Sequence, residues 1–331
     1  MPLARRRRPA TAVVAGVVTA LAIASPAAAA DRSPAAAAAA LCDGKPRTTG
    51  SLADPAMIET SGLAWSRAHR GLLWAHNDSG DTARIFALRR DGSSEGVVTV
   101  TGATAVDWED IALGTGPRGR DSLFLGDIGG GGNGIRPSVA IHRIPEPEPP
   151  GEGATTASAA SDRITLVYPD GGHDAEALLV DDRNGDLVVV TKGADADATV
   201  YRAAGGAVAP AGSTITLEAV GPVGQPTEVR AERLALELAS LGDAADLVTG
   251  GDASAAGQVA VVRTYGGIAV FAWPTRRSLA ETLTRVPCAA PAPFTLRAPQ
   301  GEAVALAPNG RRLVTVSEGP DAPLVELRAA R

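Results

Sequence analysis

Carboxylates open and close a series of short apolar runs in this chain. The stretch Asp107-Trp108-Glu109-Asp110-Ile111-Ala112-Leu113 is followed by turn formers at residues 114–121, then by Ser122-Leu123-Phe124-Leu125-Gly126-Asp127. Acid, apolar run, turn, apolar run, acid predicts a β-hairpin with carboxylates at its open end. In an antiparallel pair the start of the first strand lies beside the end of the second, so Glu109 and Asp127 share an edge. Hard carboxylate oxygens gathered at one edge suit Ca²⁺ better than Zn²⁺.

The unit recurs. Glu176 leads an apolar run that turns at Asn184-Gly185 and ends at Lys192; Glu302 leads one that turns at Asn309-Gly310 and ends at Glu318. These two copies align without a gap. An earlier copy starts at Glu59 and ends in His76-Asn77-Asp78-Ser79-Gly80, and a further one runs from Val248 through Asp252 to Arg263. That copy is imperfect, because Thr249 and not Asp252 falls in register with Glu302. Five hairpins spaced by roughly fifty to seventy residues predict an all-β fold, a β-propeller. Third and fourth strands are expected at 83–88 and 97–100, at 139–144 and 163–168, and at 198–202 and 214–217, which makes four-stranded blades. Residues 234–238 alternate as a strand would, within a segment that also fits a helix. Five blades are therefore expected, with six as the alternative. The last unit lacks an outer strand, which the segment near residues 52–58 is expected to supply, closing the ring without an open edge.

In such a blade, the start of strand one and the end of strand two face one mouth of the central channel. Glu109, Asp127, Glu176 and Glu302 are the expected metal ligands there. His76, Asn77, Asp78, Lys192, Arg263 and Glu318 are expected to bind ligand, and Glu59 and Asp252 to stand at the same mouth. His76 and His173 are the candidates for a general base or acid. The plainer reading of any one acid beside a glycine is that it hydrogen-bonds a turn. No His-Glu-x-x-His, Cys-x-x-Cys or phosphate-binding glycine loop occurs. Two functions stay open. The favoured one is a non-enzymatic propeller that takes a small polar ligand, a cation or an extracellular protein at its mouth. The other is a Ca²⁺-dependent hydrolase of phosphate or ester bonds.

The rest of the chain bounds the setting. Residues 1–30 carry four arginines at 5–8, an apolar stretch at 12–24 and Ala28-Ala29-Ala30, the pattern of a signal peptide. Residues 31–48 are an Ala-rich tail, with 31–41 expected to be poorly ordered, and 49–331 are expected to form one propeller domain. The mature protein is expected to be secreted and monomeric, without stable membrane insertion. Loss of the four arginines moves the net charge from −6 to −10. With 3% aromatic residues, that argues against a nucleic-acid partner. Cys42 and Cys288 fit one disulfide of an exported protein, tying the N-terminal segment near the closing blade.

Together, His76-Asn77-Asp78-Ser79-Gly80, Asp107-Trp108-Glu109-Asp110-Ile111, Gly126-Asp127-Ile128-Gly129, His173-Asp174-Ala175-Glu176-Ala177 and Gln300-Gly301-Glu302-Ala303 resemble a family of secreted actinobacterial β-propeller proteins, akin to the phytase-like and SdiA-regulated propellers. The resemblance covers roughly residues 50–331 and implies the fold and export. Where similar proteins continue Gly-Asp-Ile-Gly-Asp-Asn, this chain has Gly130, Gly131 and Gly132 before Asn133, so one carboxylate is missing. Propellers host many activities, and the resemblance implies no particular reaction.

Overall fold

The computed structural model describes residues 33–130, 134–193, 197–227, 242–291 and 301–330. The expected signal peptide and the alternating segment at 234–238 lie outside the described residues.

Five small sheets form the blades of a propeller. The chain enters through helix α1 (Pro34–Cys42) and strand β1 (Lys45–Ser51). Blade I is β2 (Thr60–Trp65), β3 (Leu72–Asn77), β4 (Arg84–Arg89) and β5 (Ser94–Thr99). Blade II is β6 (Trp108–Thr115), β7 (Asp121–Asp127) and β8 (Ser138–Pro145), and, after β9 (Thr155–Ala157), β10 (Asp162–Val167). Blade III is β11 (Ala175–Asp181), β12 (Asp186–Thr191) and β13 (Thr199–Ala203), and, after β14 (Thr214–Thr216), β15 (Glu218–Pro222). Blade IV is β16 (Val248–Ala253), β17 (Val259–Thr264), β18 (Gly267–Ala272) and, after helix α2 (Leu279–Leu283), β19 (Cys288–Ala290). Blade V is β20 (Gly301–Leu306), β21 (Arg312–Ser317) and β22 (Pro323–Arg328), completed by β1. The inner strands β2, β6, β11, β16 and β20 each pack on the next, and β20 packs on β2, which closes the ring.

Three local expectations are corrected. The strand that completes blade V is β1, pairing antiparallel with β22, and not residues 52–58. Leu52 and Met57 are instead buried between blades V and I. The Ala-rich segment is not loose: Ser33 caps α1 through the Ala36 amide, Pro34 suits its first turn, and Ala38, Leu41 and Cys42 bury against blades IV and V. Finally, β14 leaves blade III to pair in parallel with β10 of blade II. Likewise β9, in the connection between β8 and β10, pairs in parallel with β5 of blade I. Both additions cover an outer edge with chain from the following blade.

The core is divided among the five blade interfaces. Blades I and II enclose Trp74, Ile111 and Leu125; blades II and III enclose Phe124, Leu178 and Tyr201. Alternation explains the division. On β11, Leu178 and Val180 face blade II while Ala177 and Leu179 face blade IV. Inner strands therefore bury both faces, which accounts for their continuous apolar runs.

Two carboxyls sit inside this apolar frame. Asp110 Oδ2 accepts the amides of Leu178 (2.9 Å) and Gly251 (3.1 Å), joining the inner strands of blades II, III and IV. Asp252, three residues past the mouth, accepts the Leu306 amide (2.7 Å) and its neighbour Ala253 (2.7 Å). Burial pushes Asp110 well above the carboxylate range, and Asp252 up to about 7.

A disulfide joins Cys42 at the end of α1 to Cys288 on β19. No helix of the described residues is long and apolar enough to cross a membrane.

Two measurements check this frame. Cys288→Ser releases a link across 246 residues of sequence. Loop entropy puts the loss at up to about 5 kcal/mol, read as a lower denaturation midpoint. For Asp252 the native state binds its proton more tightly than the unfolded chain does. Its contribution to stability is thus present at low pH and fades as pH rises from about 4 towards 7. Asp252→Asn should flatten the fall of melting temperature across that window relative to wild type.

Candidate functional site at the channel mouth

Every inner hairpin carries a β-bulge at the same place. The ladders jump from Thr60 to Gly62, Trp108 to Asp110, Ala175 to Ala177, Val248 to Gly250 and Gly301 to Ala303. The unpaired residues are Ser61, Glu109, Glu176, Thr249 and Glu302. A bulge re-aims one side chain and ends regular pairing, and here it does so at the mouth end of each strand. Where the bulged residue has a hydroxyl, it ties blade to blade. Ser61 Oγ donates to the Glu109 carbonyl (2.6 Å), and Thr249 Oγ1 to the carbonyls of Gly301 (2.7 Å) and Glu302 (3.0 Å). Where it is an acid, it joins a cluster.

Two groups of carboxylates form around one shared member. Oxygens of Asp78, Asp107 and Glu109 lie within 4.8 Å of one another, and so do oxygens of Glu109, Asp174 and Glu176. Glu109 and Glu176 come from bulges, Asp107 and Asp174 from the residues leading into β6 and β11, and Asp78 from the residue after β3. Burial, then the charges of Glu176, Asp78 and Asp107, push Glu109 up to about 11. Glu176 Oε1 accepts Lys192 Nζ at 2.6 Å, yet burial outweighs the ammonium and lifts this carboxyl to about 7. Burial alone would lower Lys192, but the charge of Glu176 and its hydrogen bond win and raise it. Asp107 and Asp78 are raised mainly by burial. Burial, with Glu318 and Glu176 nearby, raises Glu302 well above the usual range.

The backbone leaves room for these acids. A Cβ on Gly129 would lie 2.1 Å from Glu109 Oε1 and 2.8 Å from the Asp107 carboxyl, so glycine is required for the loop after β7 to pass. The next amide, of Gly130, donates to Asp174 Oδ1 at 2.7 Å. Asp107 Oδ2 is buried and has no hydrogen-bond partner. An orphaned carboxylate oxygen inside a cluster of acids is a strong demand for a cation or a proton.

The expected site residues divide. Glu109, Glu176 and Asp78 come together in the two groups, with Lys192 bonded to Glu176. Glu302 and Glu318 stand beside them, close enough for each to raise the other or its neighbours. Asp127 does share the edge with Glu109, but its Oδ1 takes Arg136 (2.8 Å) and the Asp107 amide (3.2 Å), and it joins neither group. Asn77 holds the preceding loop through the Ala56 carbonyl and Asp81. Arg263 is fully buried against Gly301; burial pulls it down to about 10 while Glu302 supports its charge. Asp252 lies deeper in the channel, as described above. His76 is buried edge-on to Trp108, with Nδ1 on the Asn77 carbonyl, and burial lowers its pKa. His173 belongs to a separate set, with Nε2 on Asp170 (3.1 Å) and the Tyr201 hydroxyl (2.9 Å). Neither imidazole joins the carboxylates.

Asp107, Asp174 and Tyr265 were not singled out from the sequence as site residues. The signal for the acids was present: each stands two residues before a bulged glutamate. Tyr265 follows β17 as Lys192 follows β12, and its hydroxyl is raised by burial and by Glu302.

Comparison with known proteins adds the following. No family model matches the chain, and no curated protein matches it. Among solved structures, XC5397 from Xanthomonas campestris, described as a gluconolactonase important in glucose secondary metabolic pathways, aligns over 89% of this chain and 92% of its own. The identity is 16% and the TM-score 0.44, a likeness that carries no functional argument.

Lys192→Met strands Glu176 beside Glu109 and Asp174. It should cost about 3 kcal/mol at pH 8, the lower end for breaking a buried pair because Lys192 keeps some solvent contact. Adding Glu176→Gln should restore most of that loss in a double-mutant cycle.

Proposed function

We propose that this chain is an exported, non-enzymatic propeller that binds a hard divalent cation at its mouth and holds a small polar ligand there. The observation that carries the reading is the pair of carboxylate groups sharing Glu109, with Asp107 Oδ2 buried and unpartnered. All-oxygen donors suit Ca²⁺ and disfavour Zn²⁺. Asp78, Asp107, Glu109, Asp174 and Glu176 would hold the ion. It would replace the protons that burial and mutual repulsion now favour. Lys192, Tyr265 and Glu318, half-buried around the cluster, would meet the ligand.

The hydrolase reading has less support. Its general-base candidates, His76 and His173, lie outside the carboxylate groups, and among the described residues no serine, threonine or cysteine side chain bonds either ring.

Thermal unfolding checks the cation. At a hundredfold excess over its dissociation constant, Ca²⁺ should stabilise the protein by about 2.7 kcal/mol relative to chelator, a rise of roughly 5 °C. Glu109→Gln should abolish that rise. An unchanged wild-type midpoint would rule out a tight site, and a rise that survives Glu109→Gln would place the ion elsewhere. Phosphoesters, esters and lactones should show no turnover with Ca²⁺; turnover lost in Glu109→Gln would restore the hydrolase.

A further inference from the structure

At the opposite end of the propeller, arginines converge on a cleft in an otherwise acidic chain. The cleft holds about 450 Å³ and is lined by Arg47 of β1, Arg70 of the β2–β3 turn, Arg89 and Arg90 at the end of β4, and Arg328 at the end of β22. A second hollow of about 300 Å³ shares Arg70 and Arg90 with it and adds Arg312 and Trp65. The site lies across the seam where β1 closes the ring, between blades V and I.

The guanidinium groups are held in place but far from neutralised. Glu326 is buried (1% exposed) and accepts Arg90 Nη1 through Oε2 (2.8 Å) and Arg328 Nε through Oε1. Each bond uses one of five guanidinium donors, so most donors on both residues stay available. Arg90 also lies over the Trp65 ring at 6.0 Å. Arg89 pairs with Glu95, and Asp91 is taken by Ser93. Among the described residues, the side chains of Arg47, Arg70 and Arg312 have no hydrogen bond or ion pair. Six arginines thus face three carboxylates, Glu326, Glu95 and Asp91.

Solubility does not explain this arrangement. Like charges gathered in a concavity repel one another, whereas scattered charges on an acidic surface would serve solubility better. Guanidinium forks match the oxygens of phosphate and sulfate in bidentate fashion. The cleft has the volume of a small-molecule site. We propose that it binds a small, multiply charged oxyanion, a molecule bearing two or more phosphate or sulfate groups, independently of the mouth at the other end.

Calorimetric titration with inorganic tripolyphosphate, on metal-stripped full-length protein in chelator, tests this. Sulfate and a long heparin chain, both at matched ionic strength, are the comparison arms. Tripolyphosphate should bind in wild type and equally in Glu109→Gln, and binding should weaken as salt is raised. Arg70→Gln should weaken it by about tenfold or more, the worth of one charge-assisted hydrogen bond. Arg47→Gln/Arg70→Gln/Arg312→Gln should abolish it. Among the described residues none of these three side chains has a partner, so the melting temperature should stay within a degree or so of wild type. Sulfate binding as tight as tripolyphosphate at matched ionic strength would overturn a multiply charged ligand. Undiminished binding in the triple variant would overturn the site, and binding of heparin alone would overturn a small ligand.

Discussion

One constraint governs the mouth: an inner strand buried on both faces has no face left for a polar side chain. The five inner strands pack against neighbours on either side. A charged residue in regular register would enter an apolar interface. The bulge at the start of each hairpin supplies the one residue that does not belong to either face. The ring therefore delivers one side chain per blade to its mouth. In this chain those five are two hydroxyls and three glutamates. The hydroxyls hold the ring together, and the glutamates are left to function.

Asp110 shows the same constraint from the inside. It follows the bulged Glu109 and has no solvent to face, so it is satisfied by two amides from other blades. At the matching positions of the other hairpins the chain has Gly62, Ala177, Gly250 and Ala303. At Gly62 the reason is steric: a Cβ would lie 2.3 Å from His76 Nε2 and 2.9 Å from Ile111. Small residues close the ring by near contact, and Asp110 closes it by hydrogen bonding.

Period and spacing made the propeller legible, because continuous apolar runs between turn formers have few other folds available. The gapless match of Glu176 with Glu302, and of Lys192 with Glu318, reported a true equivalence: all four sit at matching positions around the bulges. The blade IV reading also held at Thr249, which takes the bulge. Blade I misled, since Glu59 suggested the start of the repeat while Ser61 takes that position. The ends of side chains were harder to read. Asp127 has the right strand and edge, but Arg136, nine residues on, claims its oxygen. No local pattern announces that pairing. The closing strand was missed for a similar reason: the polar stretch of β1 has no apolar alternation, and only its ladder with β22 makes it a strand.

The mouth and the arginine cleft are solved by the same physics with the signs exchanged. In the mouth, several buried acids share one close ammonium, Lys192; at the seam, six arginines gather and two of them, Arg90 and Arg328, share one buried acid, Glu326. In each case the countercharges are too few for neutrality but enough to hold their partners in a defined arrangement. Charge left in excess on a preorganised set costs stability, and the five apolar interfaces offset that cost. On the readings proposed above, that excess would attract a ligand of opposite sign, because the protein has already ordered its own groups. Placing acids at one end of the ring and arginines at the other keeps the two sets from neutralising each other. A flat or open sheet could not separate them so well, whereas a closed ring with inner strands running end to end does.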